Sequence, residues 1–194
     1  MFGRTSVVIR LLLNAVPSNS LRLAGITIED ILLLAKDISR TLAPLGVEKR
    51  LATAERVLYD EIVTDSALKK KTEKLFKDGH HARAVEEAYK LLDNLVKKRA
   101  GLSHTDLTGA NLMRNVFSAK NPVLQLNEGV SASEKNEQEG YMNIFAGCMT
   151  GIRNPRAHES DWEDTEQRAL QLLALANHLI ERTTMAEKIV PSTS

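Results

Sequence analysis

Between Leu75 and Arg99 the apolar residues recur at helical spacing. Ala84, Val85, Ala88, Leu91, Leu92, Leu95 and Val96 form one stripe along an otherwise charged segment, which predicts an amphipathic helix with one buried face. Alanines at 84 and 88 let a neighbouring helix approach closely. A stripe this long must be covered, and the chain supplies two more long runs of the same kind. One spans about 132–152, with Tyr141, Ile144, Phe145, Cys148 and Met149 inward. The other spans about 162–188, with Ala169, Leu172, Leu173, Leu175, Ala176, Leu179 and Ile180 inward. A shorter helix is predicted from Gly109 to Phe117. The expected fold is therefore all-α, an antiparallel helical bundle over residues 71–190. A helical region over 1–70 precedes it, and a disordered tail at 191–194 follows.

Local signals place the ends. Thr27-Ile-Glu-Asp30 looks like a helix start, and Pro44 and Gly46 end that helix. A second helix runs from about Glu48 to Val63, with Leu58 and Ile62 inward, and Asp65 or Ser66 caps the next. Ser131 with Glu134 resembles a capping box. Ser160 or Asp161 can cap the last helix. Asp78-Gly-His-His81 fits a kink or a helix start at Gly79. Asn121 to Asn127 alternates apolar and polar residues behind a proline, an extended pattern too isolated to promise a sheet. Gly140 and Gly147 lie seven apart on one helix face. Glycine is costly inside a helix, so the pair points to tight helix contact or to close approach of another chain.

Several function classes drop out. A single cysteine, Cys148, allows no disulfide within the chain, and its apolar surroundings predict a buried, inert thiol. There is no CxxC, HExxH or metal-ligand cluster, so neither metal nor cofactor is expected. The apolar stretch Ser6–Val16 is interrupted by Arg10 and fits neither a secretory signal nor a membrane span, which makes the cytoplasm the default location. The net charge is only +1, so a nucleic-acid partner would need a local basic patch. Lys69-Lys-Lys71 can be such a contact or a solvated helix face.

One stretch concentrates polar chemistry. Gly147-Cys-Met-Thr-Gly-Ile-Arg-Asn-Pro-Arg-Ala-His158 ends an apolar segment and then packs Arg153, Asn154, Arg156 and His158 into six residues. Pro155 disfavours a helical Asn154. The expectation is an Asn154 N-cap, Pro155 at the first helical position, and Arg153 and His158 facing free N–H groups at a helix start. A cation, an amide, an imidazole and free N–H groups suit a phosphate. His80 and His81 are candidates to join His158, or are helix-end histidines with structural partners. Trp162 either stacks on a base or staples a helix start to the core.

Arg153, four intervening residues and His158 resemble the Arg-x4–6-His signature of the HEPN superfamily. The flanks, Glu137 to His158, resemble the C-terminal hallmark of its Ymh-type bacterial family. Leu75–Ala88, Gly109–Met113, Phe117 and Pro122–Leu126 resemble that family's earlier segments. The resemblance covers about Leu75 to Ile180. It implies a metal-independent endoribonuclease that acts as a homodimer with a composite site, in phage defence or a toxin–antitoxin setting. RNA would be the substrate, and an antitoxin or defence-system protein a further partner. Arg153, Asn154 and His158 are then catalytic, and Arg156, His80 and His81 bind substrate. The alternatives are a non-catalytic helical module that binds nucleotides, nucleic acid or protein, and a structural role in which Arg153 and His158 pair with the acids at 159–166.

Overall fold

The computed structural model describes Leu33, Asp37 and residues 58–159 and 161–189. By its internal contacts the chain divides into two compact units, Met1–Val57 and Leu58–Ser194. Of the helix expected from Thr27 only Leu33 and Asp37 are described, and both are helical; the first part of the one expected from Glu48 and the tail at 191–194 lie outside the described residues.

The second unit is a helical bundle. Residues 58–62 end a helix. There follow α1 (Ser66–Lys77), α2 (His81–Ala100), α3 (Gly109–Val116), β1 (Leu124–Gln125), α4 (Ala132–Cys148), a π-helical turn (Met149–Arg153), α5 (Asn154–His158), α6 (Glu166–Met185) and β2 (Glu187–Lys188). α2 is the central helix and packs against α1, α3 and α6. It buries Ala84, Val85, Ala88, Tyr89, Leu92 and Val96, while Leu91 and Leu95 pack at the edge of the core. α6 buries Ala169, Leu173, Ala176, Leu179 and Ile180 in return. Phe117 and Phe145 stack at 4.2 Å and join α3 to α4. Burying each such side chain stabilises the fold by about 1.5–3 kcal/mol.

The ends of the helices depart from expectation where tertiary demands enter. Asp65 caps α1, its Oδ1 accepting from the Leu68 N–H at 2.8 Å. Asn177 on α6 accepts from the N–H groups of Thr64 and Asp65, both at 3.0 Å, and so pins that start to the bundle. The long helix expected from Leu75 is divided at Gly79, where the sequence allowed a kink or a helix start. Gly79 has φ +85° and sends its N–H to Phe76 O, while His80 N–H reaches Leu75 O. This is a Schellman ending, and it suits glycine because a Cβ disfavours that backbone region. Leu58, expected inward, is exposed; Tyr59 and Val63 are buried instead.

α4 begins with the expected Ser131–Glu134 capping box. Ile144, expected inside, is 44% exposed. A Cβ on Gly140 or Gly147 would meet nothing within 4 Å, so neither glycine serves a tight contact within this unit. α6 starts four to five residues later than expected, with Thr165 rather than Ser160 or Asp161 at its N-cap. It also stops earlier, and Glu187–Lys188 pairs antiparallel with Leu124–Gln125. Buried Gln138 fastens this corner. Its Nε2 donates to the carbonyls of Phe117 and Leu124 at 3.1 and 3.2 Å, and its Oε1 accepts from Leu126 N–H at 2.9 Å.

Candidate functional site

The polar stretch sits on a continuous helical path. Arg153 (φ −72°, ψ −47°) and Asn154 (φ −62°, ψ −45°) are both right-handed helical. The expected N-cap at Asn154 is therefore absent, and its N–H bonds back to Met149 O. Proline lacks an N–H and its ring crowds the carbonyl four residues back. The wide π turn just ahead accommodates that ring without ending the helix. The motif's own helix runs through without a free N-terminus, and the helix start nearest His158 is that of α2, whose Ala82 and Arg83 line the same cleft.

Those side chains divide sharply. Arg153 is half-buried, and its Nη1 donates to the neighbouring Asn154 Oδ1 at 3.2 Å. Asn154 and His158 stand four residues apart in helical backbone and so share a face. His158 is exposed. Arg156 is turned the other way. Its Nε and Nη2 grip both carboxylate oxygens of Asp164 at 2.6 and 2.7 Å, and its Nη1 donates to Ile152 O at 2.6 Å. Arg156 and Asp164 side chains are 1% and 0% exposed. The expectation that Arg156 binds substrate does not match that burial. The pair also explains the late start of α6, because Asp164 is committed to Arg156 before the helix can begin.

Trp162 lies over this pair, with the Arg156 and Arg168 guanidinium carbons 5.4 and 5.8 Å from its ring centroid. Its indole Nε1 is buried and has no hydrogen-bond partner among the described residues. Two small clefts flank it and share Ala82, Arg83 and Trp162. One, of about 370 Å³, also holds His158, Arg156, Glu86 and Glu159. The other, of about 390 Å³, also holds His80, His81 and Asp164. The fold thus brings the His80–His81 step and His158 to adjoining clefts. His81 is half-buried, its ring 5.3 Å from Phe76; His80 is exposed at the start of α2 and makes no side-chain cap.

Arg83 and Glu86 were not singled out in the sequence, although their helical spacing from Glu87 and Lys90 signals a charge network. Arg83 bonds Glu86 and Glu87 at 2.6 and 3.0 Å, and Lys90 bonds the same two acids at 2.7 and 3.3 Å. Burial works against ionisation of Glu86, but the hydrogen bond from Lys90 and the charges of Arg83 and Lys90 outweigh it and hold the carboxyl below its usual range. The cleft beside His158 is therefore charged but largely compensated.

Other polar groups lie away from these clefts. Cys148 is buried, and burial pushes its thiol up to about 11. Lys69 lies 3.5 Å from Asp60, while Lys70 and Lys71 are exposed on α1. His178 shares a 2.7 Å hydrogen bond with Tyr141. Among the described residues no group of three or more His, Cys, Asp or Glu side chains is placed to hold a metal ion, and no helix is long and apolar enough to cross a membrane.

No curated protein and no solved structure matches the chain. A family described as "Protein of unknown function (Hypoth_ymh)" matches residues 63–183, which run from the residue before α1's approach loop to the last turn of α6. That is more than half of the chain, so the protein belongs to the Hypoth_ymh family.

Proposed function

We propose that the chain is a metal-independent endoribonuclease of HEPN type, with Arg153, Asn154 and His158 as its working residues. The observation that carries the reading is the Arg153–Asn154 hydrogen bond at 3.2 Å, on a helix face that also presents exposed His158. Histidine titrates near neutrality and transfers protons in either direction. In this reading His158 takes part in moving a proton from the ribose 2′-OH, whose oxygen attacks the adjacent phosphorus, or in delivering one to the leaving 5′-oxygen. The products are a 2′,3′-cyclic phosphate and a 5′-hydroxyl. Arg153, always charged, stabilises the charge gathering on the phosphoryl oxygens. Asn154 orients Arg153. Arg156 holds the fold beneath them, and His80 and His81 contact substrate from the adjoining cleft.

One histidine does not readily serve both proton transfers. The reading therefore includes a homodimer in which two copies of the motif line one cleft, with the open glycine-bearing face of α4 as the contact. It places the protein in the cytoplasm, acting on RNA in phage defence or under an antitoxin. The test is cleavage of total RNA and tRNA in EDTA by the wild type, Arg153→Ala and His158→Ala. Cleavage by the wild type that both variants lose is the expected result. Cleavage that survives both substitutions would sink the assignment. Activity that persists on dilution to monomer would sink the composite site.

A second reading has its own support. The cations around His158 are compensated, Arg83 by Glu86 and Glu87 and Arg156 by Asp164. A non-catalytic module that binds nucleic acid or a protein partner needs no more than that. Binding of RNA without cleavage, by a folded chain at its native oligomeric state, would favour it.

A further inference from the structure

The clefts on either side of Trp162 meet at a divide made of Ala82, Arg83 and Trp162. Ala82 offers only a methyl group, so the long side chains on that divide are a guanidinium and an indole. His158 lines the cleft on one side, and His80 and His81 line the cleft on the other. A strand that passes His158 and reaches the two histidines beyond must cross this pair.

Arg83 is held in place and yet open. It sits in the first turn of α2 with its side chain 55% exposed, and Glu86 and Glu87 take it at 2.6 and 3.0 Å. Those bonds engage one N–H on each terminal nitrogen and leave the remaining donors for a ligand. Lys90 bonds the same two acids at 2.7 and 3.3 Å. Neither carboxylate is therefore stranded when Arg83 turns toward a ligand. Arg156, the other cation lining the His158 cleft, has no such freedom, because its side chain is 1% exposed and grips a fully buried Asp164. In the cleft of His80 and His81, Arg83 is the one lining residue with a fixed positive charge, and Glu163 and Asp164 line it too. A phosphate leaving the His158 cleft thus meets its cation at the divide and no further in.

We propose that Arg83 binds the phosphodiester next to the one that is cut, where a single RNA strand crosses from the His158 cleft to that of His80 and His81. The proposal rests on the reading of the chain as a ribonuclease and names what that site selects: an unpaired strand with at least one phosphate beyond the scissile one. The guanidinium fork matches two phosphate oxygens at once. Small clefts of about 370 and 390 Å³ on either side of a ridge suit a strand that bends and turns its bases outward. A stiff A-form duplex keeps its bases paired and stacked and cannot follow that path. Arg83 positions the strand and moves no proton.

Anisotropy titrations of the full chain with labelled 2′-O-methyl RNA test the contact. Such a strand has no 2′-OH to attack and stays whole whether or not the protein cuts RNA. The variants are Arg83→Gln, Arg83→Lys and, as a control of equal charge, Arg114→Gln, an exposed residue of α3 that lines neither cleft; thermal melting checks folding. Arg83→Gln should weaken binding of an eight-nucleotide strand by about tenfold, the weight of one charge-assisted contact. It should also lower the slope of log affinity against log salt by about 0.7, one phosphate's share on a single strand. Arg83→Lys should recover part of the loss, and it carries the test, with an expected loss of about threefold, if Arg83→Gln does not fold. Arg114→Gln should stay within twofold of wild type, and a duplex of the same sequence should bind wild type at least tenfold more weakly. In cleavage, Arg83→Gln should raise KM with kcat within twofold, and a dinucleotide with a single phosphodiester should be cut alike by both proteins. No binding of the strand by folded wild type would overturn the proposal. So would an effect no larger than that of Arg114→Gln, equal affinity for the duplex, or a fall in kcat with affinity unchanged. Binding that depends on Arg83 in a wild type that cuts no RNA would refute the ribonuclease reading and leave the contact standing.

Discussion

Arg153 and Arg156 stand three residues apart on one helical path, in opposite surroundings. Arg156 is sealed in the fold, with three of its nitrogens engaged by Asp164 and Ile152 O. Arg153 is half-buried, and its one hydrogen bond described is to the amide next door. A buried guanidinium with matched acceptors is committed, because releasing it would strand a charge away from water. A guanidinium held by a single neutral amide keeps most of its donors for something else. Partners, rather than charge or spacing, separate the arginine that builds the stretch from the one that can serve a ligand.

The largest way to break this contrast is Arg156→Ala. It leaves Asp164 buried without its partner and should cost about 3–5 kcal/mol in denaturant unfolding; a loss under about 1 kcal/mol would mean the pair is solvated. Gln138→Ala removes three hydrogen bonds at the β1 corner and should cost about 1–3 kcal/mol by the same measurement, which calibrates a buried polar group without charge. Gly147→Ala should raise monomer stability by about 0.5–1 kcal/mol, since the new methyl group meets nothing within 4 Å. It should also weaken self-association in sedimentation, if the second copy sits on that face. Arg153→Ala and His158→Ala should each change stability by no more than about 0.5 kcal/mol while abolishing RNA cleavage. A large stability loss in Arg153→Ala would erase the distinction between the two arginines.

The smallest effect concerns the neighbouring network. The Glu86 carboxyl is held below its usual range in the fold. Its contribution to stability is therefore present above the ordinary carboxylate pKa of about 4.5 and is lost as pH falls through the lowered folded value. Glu86→Gln should flatten the acid limb of a stability–pH curve measured by thermal melting, with no change of slope between pH 6 and 8.

The bundle was legible because its stripes are long. α2, α4 and α6 announce themselves through apolar residues three and four apart, and the Ser131–Glu134 box is a local signal with a local cause. The errors fall where a distant partner decides. Nothing near Trp162 or Asp164 in sequence says that Arg156 will claim both and delay α6. The break at Gly79 was open to the Asp78-Gly-His-His81 order but not to the apolar pattern, because a Schellman ending depends on backbone geometry rather than side-chain period. At the candidate site the residue types were readable and their frame was not: proline chemistry alone predicts a cap at Asn154, but the π turn lets the helix pass through. The nearness of His80 and His81 to His158 was an open alternative in the sequence, and the fold puts them in adjoining clefts.

That π turn also sets the direction in which the motif looks. In an unbroken α-helix, Asn154 and His158, seven and eleven residues after Gly147, would continue the face of Gly140, Ile144 and Gly147. A five-residue i→i+5 turn winds through less angle than five α-helical residues, by about one residue's worth, or roughly 90–100°. Asn154 and His158 are accordingly rotated off the glycine face by about a quarter turn. A second copy seated on that face would then border the motif instead of smothering it. Deleting one residue between Met149 and Arg153 would let an α-helix run straight through and leave His158 facing the same way, because the π turn already winds through about one residue less of angle.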